Sequence, residues 1–154
     1  MACSEFKNVK EVEMIRGIHH CTFIVSNIEE TRRFFCDLLG LQQVAKISEI
    51  SGEQVEKVVH IPGVTLRIFF AVAPDGARLE FIEYYIPKGS NTNPKRHNVG
   101  IGRIVFIVED IKNMYEGLIS KGVQFNSEPV LKGNWRACSL QGPDGISLEL
   151  LEAI

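Results

Sequence analysis

The 154-residue chain has no cluster of basic residues: Lys, Arg, Asp and Glu are scattered along it and leave a formal net charge of −2. A nucleic-acid surface needs positive charge gathered on one face, so nucleic-acid binding is excluded. No apolar run approaches the roughly 18 residues of a membrane span. The stretch MACSEFKNVKEVEM at the start is charged and lacks the apolar core of a secretory signal. The four cysteines, Cys3, Cys21, Cys36 and Cys138, form no CxxC pair, and reduced thiols in a cytoplasmic protein are the expectation. No GxxxxGK[ST] occurs, so the glycines make no phosphate loop. What is present is 45% hydrophobic and 23% charged residues, ordinary for a soluble globular chain and enough for one domain with a real core.

Two stretches share a frame. GIHHCTFIVSNI (17–28) runs in step with GIGRIVFIVEDI (100–111). Each is an apolar run closed by a polar pair and an Ile that opens a helix-like segment. After the first, IEETRRFFCDLLG places Phe34, Phe35, Leu38 and Leu39 on one face, and Gly40 supplies the stop. After the second, Ile111, Met114, Tyr115 and Leu118 fall at i, i+3, i+4 and i+7, an amphipathic helix closed by Gly122. The first half is expected to run strand (17–25), helix (28–39), then strands near 42–48, 65–72 and 78–85. The second is expected to run strand (101–108), helix (111–121), then strands near 123–126, 134–140 and 146–152. Between them, IPKGSNTNPKRHNVG (86–100) has the composition of a linker.

One domain of two βαβββ modules is therefore predicted, about 17–85 and 101–152. From His20 to Glu80 is 60 positions and from Arg103 to Glu149 is 46. The excess matches EISGEQVEKVVHIPG (49–63), expected as a short helical insertion. Neither half can bury its sheet alone, so the halves must pair within one chain or between two.

Side chains alternate across a strand. Cys21, Phe23 and Val25 are placed on the helix-covered face of the first strand, leaving His20, Thr22 and Ile24 on the other. By the same rule Leu79 and Phe81 go inward and Arg78, Glu80 and Ile82 stay open. In the second module Ile104, Phe106, Val108, Ile146, Leu148 and Leu150 go inward. Arg103, Val105, Ile107, Ser147, Glu149 and Leu151 stay open. His20, Glu80, Arg103 and Glu149 are thus expected to converge in one cup. Glu83 and Glu152 end their strands and are read as solvated, and His19 as turned away from His20. Arg67, Arg78 and Arg136 lie in strands and are candidates to bind a carboxylate or phosphate.

HCTFIVSNIEETRRFFCDLLGL (20–41), VFIVEDIKNMYEGLISKGVQF (105–125) and GPDGISLELLE (142–152) together resemble the vicinal oxygen chelate superfamily. That superfamily includes glyoxalase I, methylmalonyl-CoA epimerase, extradiol dioxygenases and fosfomycin- and bleomycin-resistance proteins. The resemblance implies an α+β fold of two paired βαβββ modules forming a cup-shaped mixed sheet with helices outside, in a homodimer. It also implies metal ligands at His20, Glu80 and Glu149, with Arg103 on the fourth ligand position. Zn²⁺, Ni²⁺, Co²⁺, Mn²⁺ or Fe²⁺ suits an imidazole and two carboxylates. Arginine cannot ligate a cation.

Two functions compete. The first is a metal-dependent lyase or isomerase acting on a small 2-oxo, 2-hydroxy or acyl-thioester compound through a stabilised enolate. Glu149, Arg103 and His60 would then serve the substrate, His60 lying in the insertion where the resemblance places cavity-closing residues. The second is a non-catalytic sequestering protein in which Arg103 replaces the metal. A dioxygenase comes third, because the second histidine that branch uses is the position Arg103 occupies.

Overall fold

The computed structural model describes residues 15–92 and 95–154. The first module runs β1 (Cys21–Ile24), α1 (Ile28–Arg32), β2 (Gln42–Gln43), β3 (Ser48–Ser51), α2 (Glu53–Val59), β4 (Thr65–Val72) and β5 (Arg78–Ile86). The second runs β6 (Arg103–Ile107), α3 (Ile111–Ser120), β7 (Val130–Lys132), β8 (Trp135–Gln141) and β9 (Ser147–Ala153). The fold is α+β, as expected, with one mixed sheet per module. Strand order is β1-β5-β4-β2 with β3 also on β4, and β6-β9-β8-β7. In both sheets the first strand pairs in parallel with the last, and the frame shared by the two stretches reappears in the register. Thr22 stands opposite Glu80, and Val105 opposite Glu149.

The polar pair that closes each shared stretch caps a helix. The Asn27 side chain accepts the Glu30 N–H at 3.1 Å, and Asp110 accepts the Asn113 N–H at 3.0 Å. Each cap satisfies one of the orphan donors of a first turn and contributes about 1 kcal/mol. The Ile after each cap is fully buried. Beyond α1 the chain continues as a π-helical stretch, Arg33–Leu38, in which Leu39 N–H donates to the Phe34 carbonyl. The wider turn puts Phe35 at the core with no exposure. Gly40, at φ +81°, then makes the left-handed exit that a β-carbon would strain.

The inward faces of both sheets form one core. In the first module Phe81 is the hub, with ring centroids of Phe35, Phe69 and Phe23 at 4.4, 5.0 and 5.8 Å. In the second the corresponding volume is aliphatic: Ile111, Leu118, Leu140, Leu148 and Leu150. The inward assignment of Leu79, Phe81, Leu148 and Leu150 is borne out. The modules meet closely at Gly142, where a β-carbon would come within 3.3 Å of Leu148 Cδ1 and 3.4 Å of Phe34 Cε1.

Three expectations are corrected. The strand expected at 42–48 splits into β2 and β3. The insertion is therefore strand before it is helix, because Ile50 finds an antiparallel partner in Leu66. The strand expected at 123–126 is reduced to a single bridge between Phe125 and Leu140. There Ser127 Oγ takes the Ser139 N–H that a ladder would use, at 3.2 Å, and pairing resumes at β7. Glu83 is not solvated: it is 9% exposed and accepts from Ile28 N–H at 3.3 Å and Arg67 Nη1 at 3.4 Å. Its counterpart Glu152 accepts from Arg136 Nη1 at 2.6 Å. Arg67 and Arg136 thus bind carboxylates of their own chain.

Candidate functional site

The open face of each sheet carries one charged pair at its polar end. In the first module His20 Nε2 lies 3.2 Å from Glu80 Oε2, and Thr22 Oγ1 donates to the same oxygen at 2.7 Å. The Thr22–Glu80 contact follows from their register. His19 is not turned away: its Nδ1 is 2.7 Å from His20 Nδ1. Both bonds can be satisfied together, with the His20 Nε2–H donating to Glu80 and a single proton shared between the two Nδ1 atoms of His19 and His20. The edge of the His20 ring meets Phe70 at a centroid distance of 5.3 Å. Glu80 Oε1 has no partner among the described residues.

In the second module Val105 stands where Thr22 stands in the first and offers no hydrogen bond. Arg103 fills the gap. Its Nη1 donates to Glu149 Oε2 at 2.6 Å, a charge-assisted bond. The side chains are 42% and 24% exposed, so the pair contributes on the order of 1 kcal/mol or less. Of the residues expected to share a cup with it, Arg103 reaches Glu149. Behind Glu149, on the inward face of the neighbouring strand, burial and then the Glu149 charge push the Cys138 thiol up to about 11.

The structure does not bring His20, Glu80 and Glu149 together. Among the described residues no three His, Cys, Asp or Glu side chains are grouped so as to hold a metal ion. His20 and Glu80 belong to one sheet and Glu149 to the other, with no strand pairing between them. The donor set adds a second obstacle. A divalent cation about 5 Å from a guanidinium is repelled by about 6–7 kcal/mol at an effective dielectric of about 20. Within one chain these residues do not fit a resident metal. His60 caps α2 in a left-handed conformation, φ +58°, is exposed, and touches none of them.

Residues that sequence reasoning passed over join the modules. Asp144, in the GPDG turn at φ +54°, accepts Ser26 N–H at 2.7 Å, Ser26 Oγ–H at 2.6 Å and Asn91 Nδ2 at 3.0 Å. A groove of about 1030 Å³ runs beside this clasp, past Arg33, Asp37, Lys121 and Gln124. It contains none of the residues of the two charged pairs, so it is not the expected cup. A smaller pocket of about 190 Å³ opens on the same sheet as Thr22 and Glu80, at Ile24 and Tyr84.

These features meet their relatives in a family comparison. Residues 17–150 match the model of the Glyoxalase/Bleomycin resistance protein/Dioxygenase superfamily, and the chain belongs to that family. A comparison with curated proteins finds no match. Among solved structures, a glyoxalase family protein from Bacillus cereus aligns over 99% of both chains with a TM-score of 0.80 and 24% identity. TnmS3, an antibiotic binding protein from a Streptomyces species, aligns over 91% of this chain and 99% of its own, with a TM-score of 0.60 and 17% identity. A mutant of the fosfomycin resistance protein FosX from Listeria monocytogenes, complexed with Mn(II) and a dihydroxypropylphosphonic acid, aligns over 89% and 90%, with a TM-score of 0.62 and 18% identity. Such likenesses establish the shared fold. No helix among the described residues is long and apolar enough to cross a membrane.

Proposed function

We propose that this chain is a small-molecule-binding member of the family in which Arg103 supplies the positive charge that a divalent cation would otherwise bring. The carrying observation is the Arg103–Glu149 bond at 2.6 Å, which occupies one of the two carboxylates the resemblance assigns to a metal. The guanidinium N–H groups that Glu149 does not take favour a ligand with a strongly polar oxygen, held without chemistry.

The cup is closed by a second copy. The open faces and edges leave Ile24 at 54%, Val105 at 47% and Ile107 at 79% exposure. β1 and β6 are each the outer strand of their sheet. Exposed apolar surface on an unpaired edge marks an interface. A homodimer that sets one protomer's first sheet against its partner's second would bring the charged pairs face to face. Cys21, Cys36 and Cys138 are all free thiols, which supports a cytoplasmic setting.

The metal-dependent lyase or isomerase is the second reading, favoured by Glu80 Oε1, which stays open to a further contact beside the imidazole. Elemental analysis separates the two, on protein purified without chelator and dialysed against Ni²⁺, Co²⁺, Zn²⁺, Mn²⁺ or Fe²⁺. The expected result is far below one metal per chain for wild type and Glu149→Ala alike, in a particle that light scattering sizes as a dimer. One metal per chain, lost in Glu149→Ala, would establish the metal enzyme instead.

A further inference from the structure

We propose that the open face of the second sheet is a trough for an elongated aromatic ligand, with a neutral carbonyl oxygen at Arg103 and two rings reaching to Trp135. The inference rests on the small-molecule reading above and names the chemistry of what is bound. Register defines the trough. Residues directly opposite share a face, so Trp135 and Ala153, Ala137 and Leu151, and Ser139 and Glu149 all stand on the open side. Ile107 joins Leu151 from β6, and Val130 joins Ala137 from β7. The small side chains of Ala137, Ser139 and Ala153 make the floor. Ile107 and Val130, both exposed, make the walls. In the homodimer proposed above, the partner's first sheet roofs it.

The two ends differ. At one end Arg103 gives one N–H group to Glu149 and makes no second bond among the described residues, although a guanidinium carries five donors. Beside it across the ladder, Ser147 is 2% exposed and its hydroxyl has no partner among the described residues. A buried hydroxyl left unpaired is destabilising, and an acceptor oxygen entering at Arg103 would satisfy it. At the other end Trp135, the chain's only tryptophan, is 41% exposed. A large ring half in water among other exposed apolar groups marks a binding surface.

Charge and length select the ligand. Glu149 matches the Arg103 charge, so a carboxylate there would meet repulsion along with attraction, whereas a carbonyl oxygen needs only donors. Lys132, opposite Trp135, is exposed at the far end and does not alter this balance. Glu149 to Ala153 is four residues, about 13 Å along β9. A single ring is too short to bridge that length; two rings joined end to end, with a carbonyl on one of them, are not. The floor between the ends, at Ala137 and Leu151, is apolar and calls for no further polar group.

NMR titration of the whole protein with 4-acetylbiphenyl tests this, read at the single indole N–H signal and at the amides of Ala137, Ser139 and Leu151. Acetophenone lacks the second ring, biphenyl lacks the carbonyl, and biphenyl-4-carboxylate puts a charge in its place. Expected are shifts at all four signals, with acetophenone and biphenyl each binding about tenfold more weakly and the carboxylate no tighter than the ketone. Trp135→Ala should weaken 4-acetylbiphenyl about tenfold and leave acetophenone unchanged. Ser147→Ala should weaken both ketones about fivefold without lowering the urea midpoint, because the hydroxyl it removes had no partner. The two variants act at opposite ends, so one reports even where the other disturbs the sheet. Tighter binding by the carboxylate would overturn the neutral oxygen, and acetophenone binding as well as 4-acetylbiphenyl would overturn the second ring. Shifts at Ile24 and Tyr84 instead, no effect of Trp135→Ala, or silence from every probe would overturn the trough and leave the small-molecule reading standing. That reading fails separately, by stoichiometric metal in the elemental analysis.

Discussion

At corresponding points of the two modules the first has His20, Thr22 and Glu80, and the second has Arg103, Val105 and Glu149. The first gathers two polar groups on one carboxylate oxygen, whereas the second has one guanidinium. Inward of these faces the modules diverge in another way. Four phenylalanines cluster in the first where aliphatic chains and a cysteine fill the second. Yet the helix caps, the buried Ile behind each cap and the arginine–glutamate pairs Arg67–Glu83 and Arg136–Glu152 correspond. The positions that build the frame match, and those on the open faces differ. One scaffold can therefore carry an imidazole–carboxylate pole and a guanidinium–carboxylate pole side by side.

The largest break in this comparison should come from the cores. Phe81→Ala removes the ring that three others touch and is expected to lower stability by about 3–5 kcal/mol, against about 2–4 kcal/mol for Leu150→Ala. Urea unfolding midpoints measure both. A loss at Phe81 no greater than at Leu150 would mean the ring cluster adds nothing beyond its area. Next come the paired glutamates. Glu83→Ala leaves the Ile28 N–H unpaired and Arg67 with Glu29 alone, and should cost about 2 kcal/mol. Glu152→Ala releases the half-buried Arg136 and should cost about 1 kcal/mol. Equal losses in the same denaturation assay would show that the bond to the start of α1 is idle.

A third substitution makes the poles alike. Arg103→His places an imidazole two positions before Val105, beside Glu149, as His20 stands beside Glu80. The variant loses the fixed charge and gains a ligand type suited to divalent ions. Its affinity for Ni²⁺ or Zn²⁺ should rise by at least about tenfold, or 1.4 kcal/mol, measured by calorimetry against wild type. Unchanged affinity would show that the separation of the sheets, and not the guanidinium, decides the matter.

Much of this frame was legible before any coordinates. Period-two alternation assigned Leu79, Phe81, Leu148 and Leu150 inward and His20, Glu80, Arg103 and Glu149 outward, because burial on one face leaves little freedom of register. The shared stretch placed a polar pair before each helix, and the structure shows that its second member is the cap. Which open faces meet was not legible, since alternation orients side chains within a sheet and says nothing of the packing between sheets. Glu83 was misread for a related reason: a carboxylate near a strand end is solvated by default, and only the approach of α1 turns it into a buried cap. Asp144 escaped because its partners, Ser26 and Asn91, lie in another module and a loop. Thr22 carried a usable signal, since its register opposite Glu80 follows once the two strands are paired.

A last effect, absent at neutral pH, distinguishes the modules as pH rises. Cys138 is the counterpart of Phe69: the one lies opposite Leu150 and the other opposite Phe81. The thiol is 2% exposed, and burial, followed by the Glu149 charge, pushes it up to about 11. An unfolded cysteine titrates near about 8.5. Below that value both states hold the proton and Cys138 makes stability no steeper in pH. Above it the unfolded chain loses a proton the folded chain keeps, so stability declines as pH rises from about 8.5 toward about 11 and levels beyond. Lysines and tyrosines titrate in the same range, so the measurement is the difference between wild type and Cys138→Ala, followed by urea unfolding from pH 7 to 11. That difference should be flat to about pH 8.5 and then shift against wild type. A colorimetric thiol reagent gives the second readout, reacting at once with the exposed Cys21 and with Cys138 only as fast as the core opens. Parallel pH curves for the two proteins would mean that the ionised thiolate is tolerated inside, and that the second module's core is as wet as its open face.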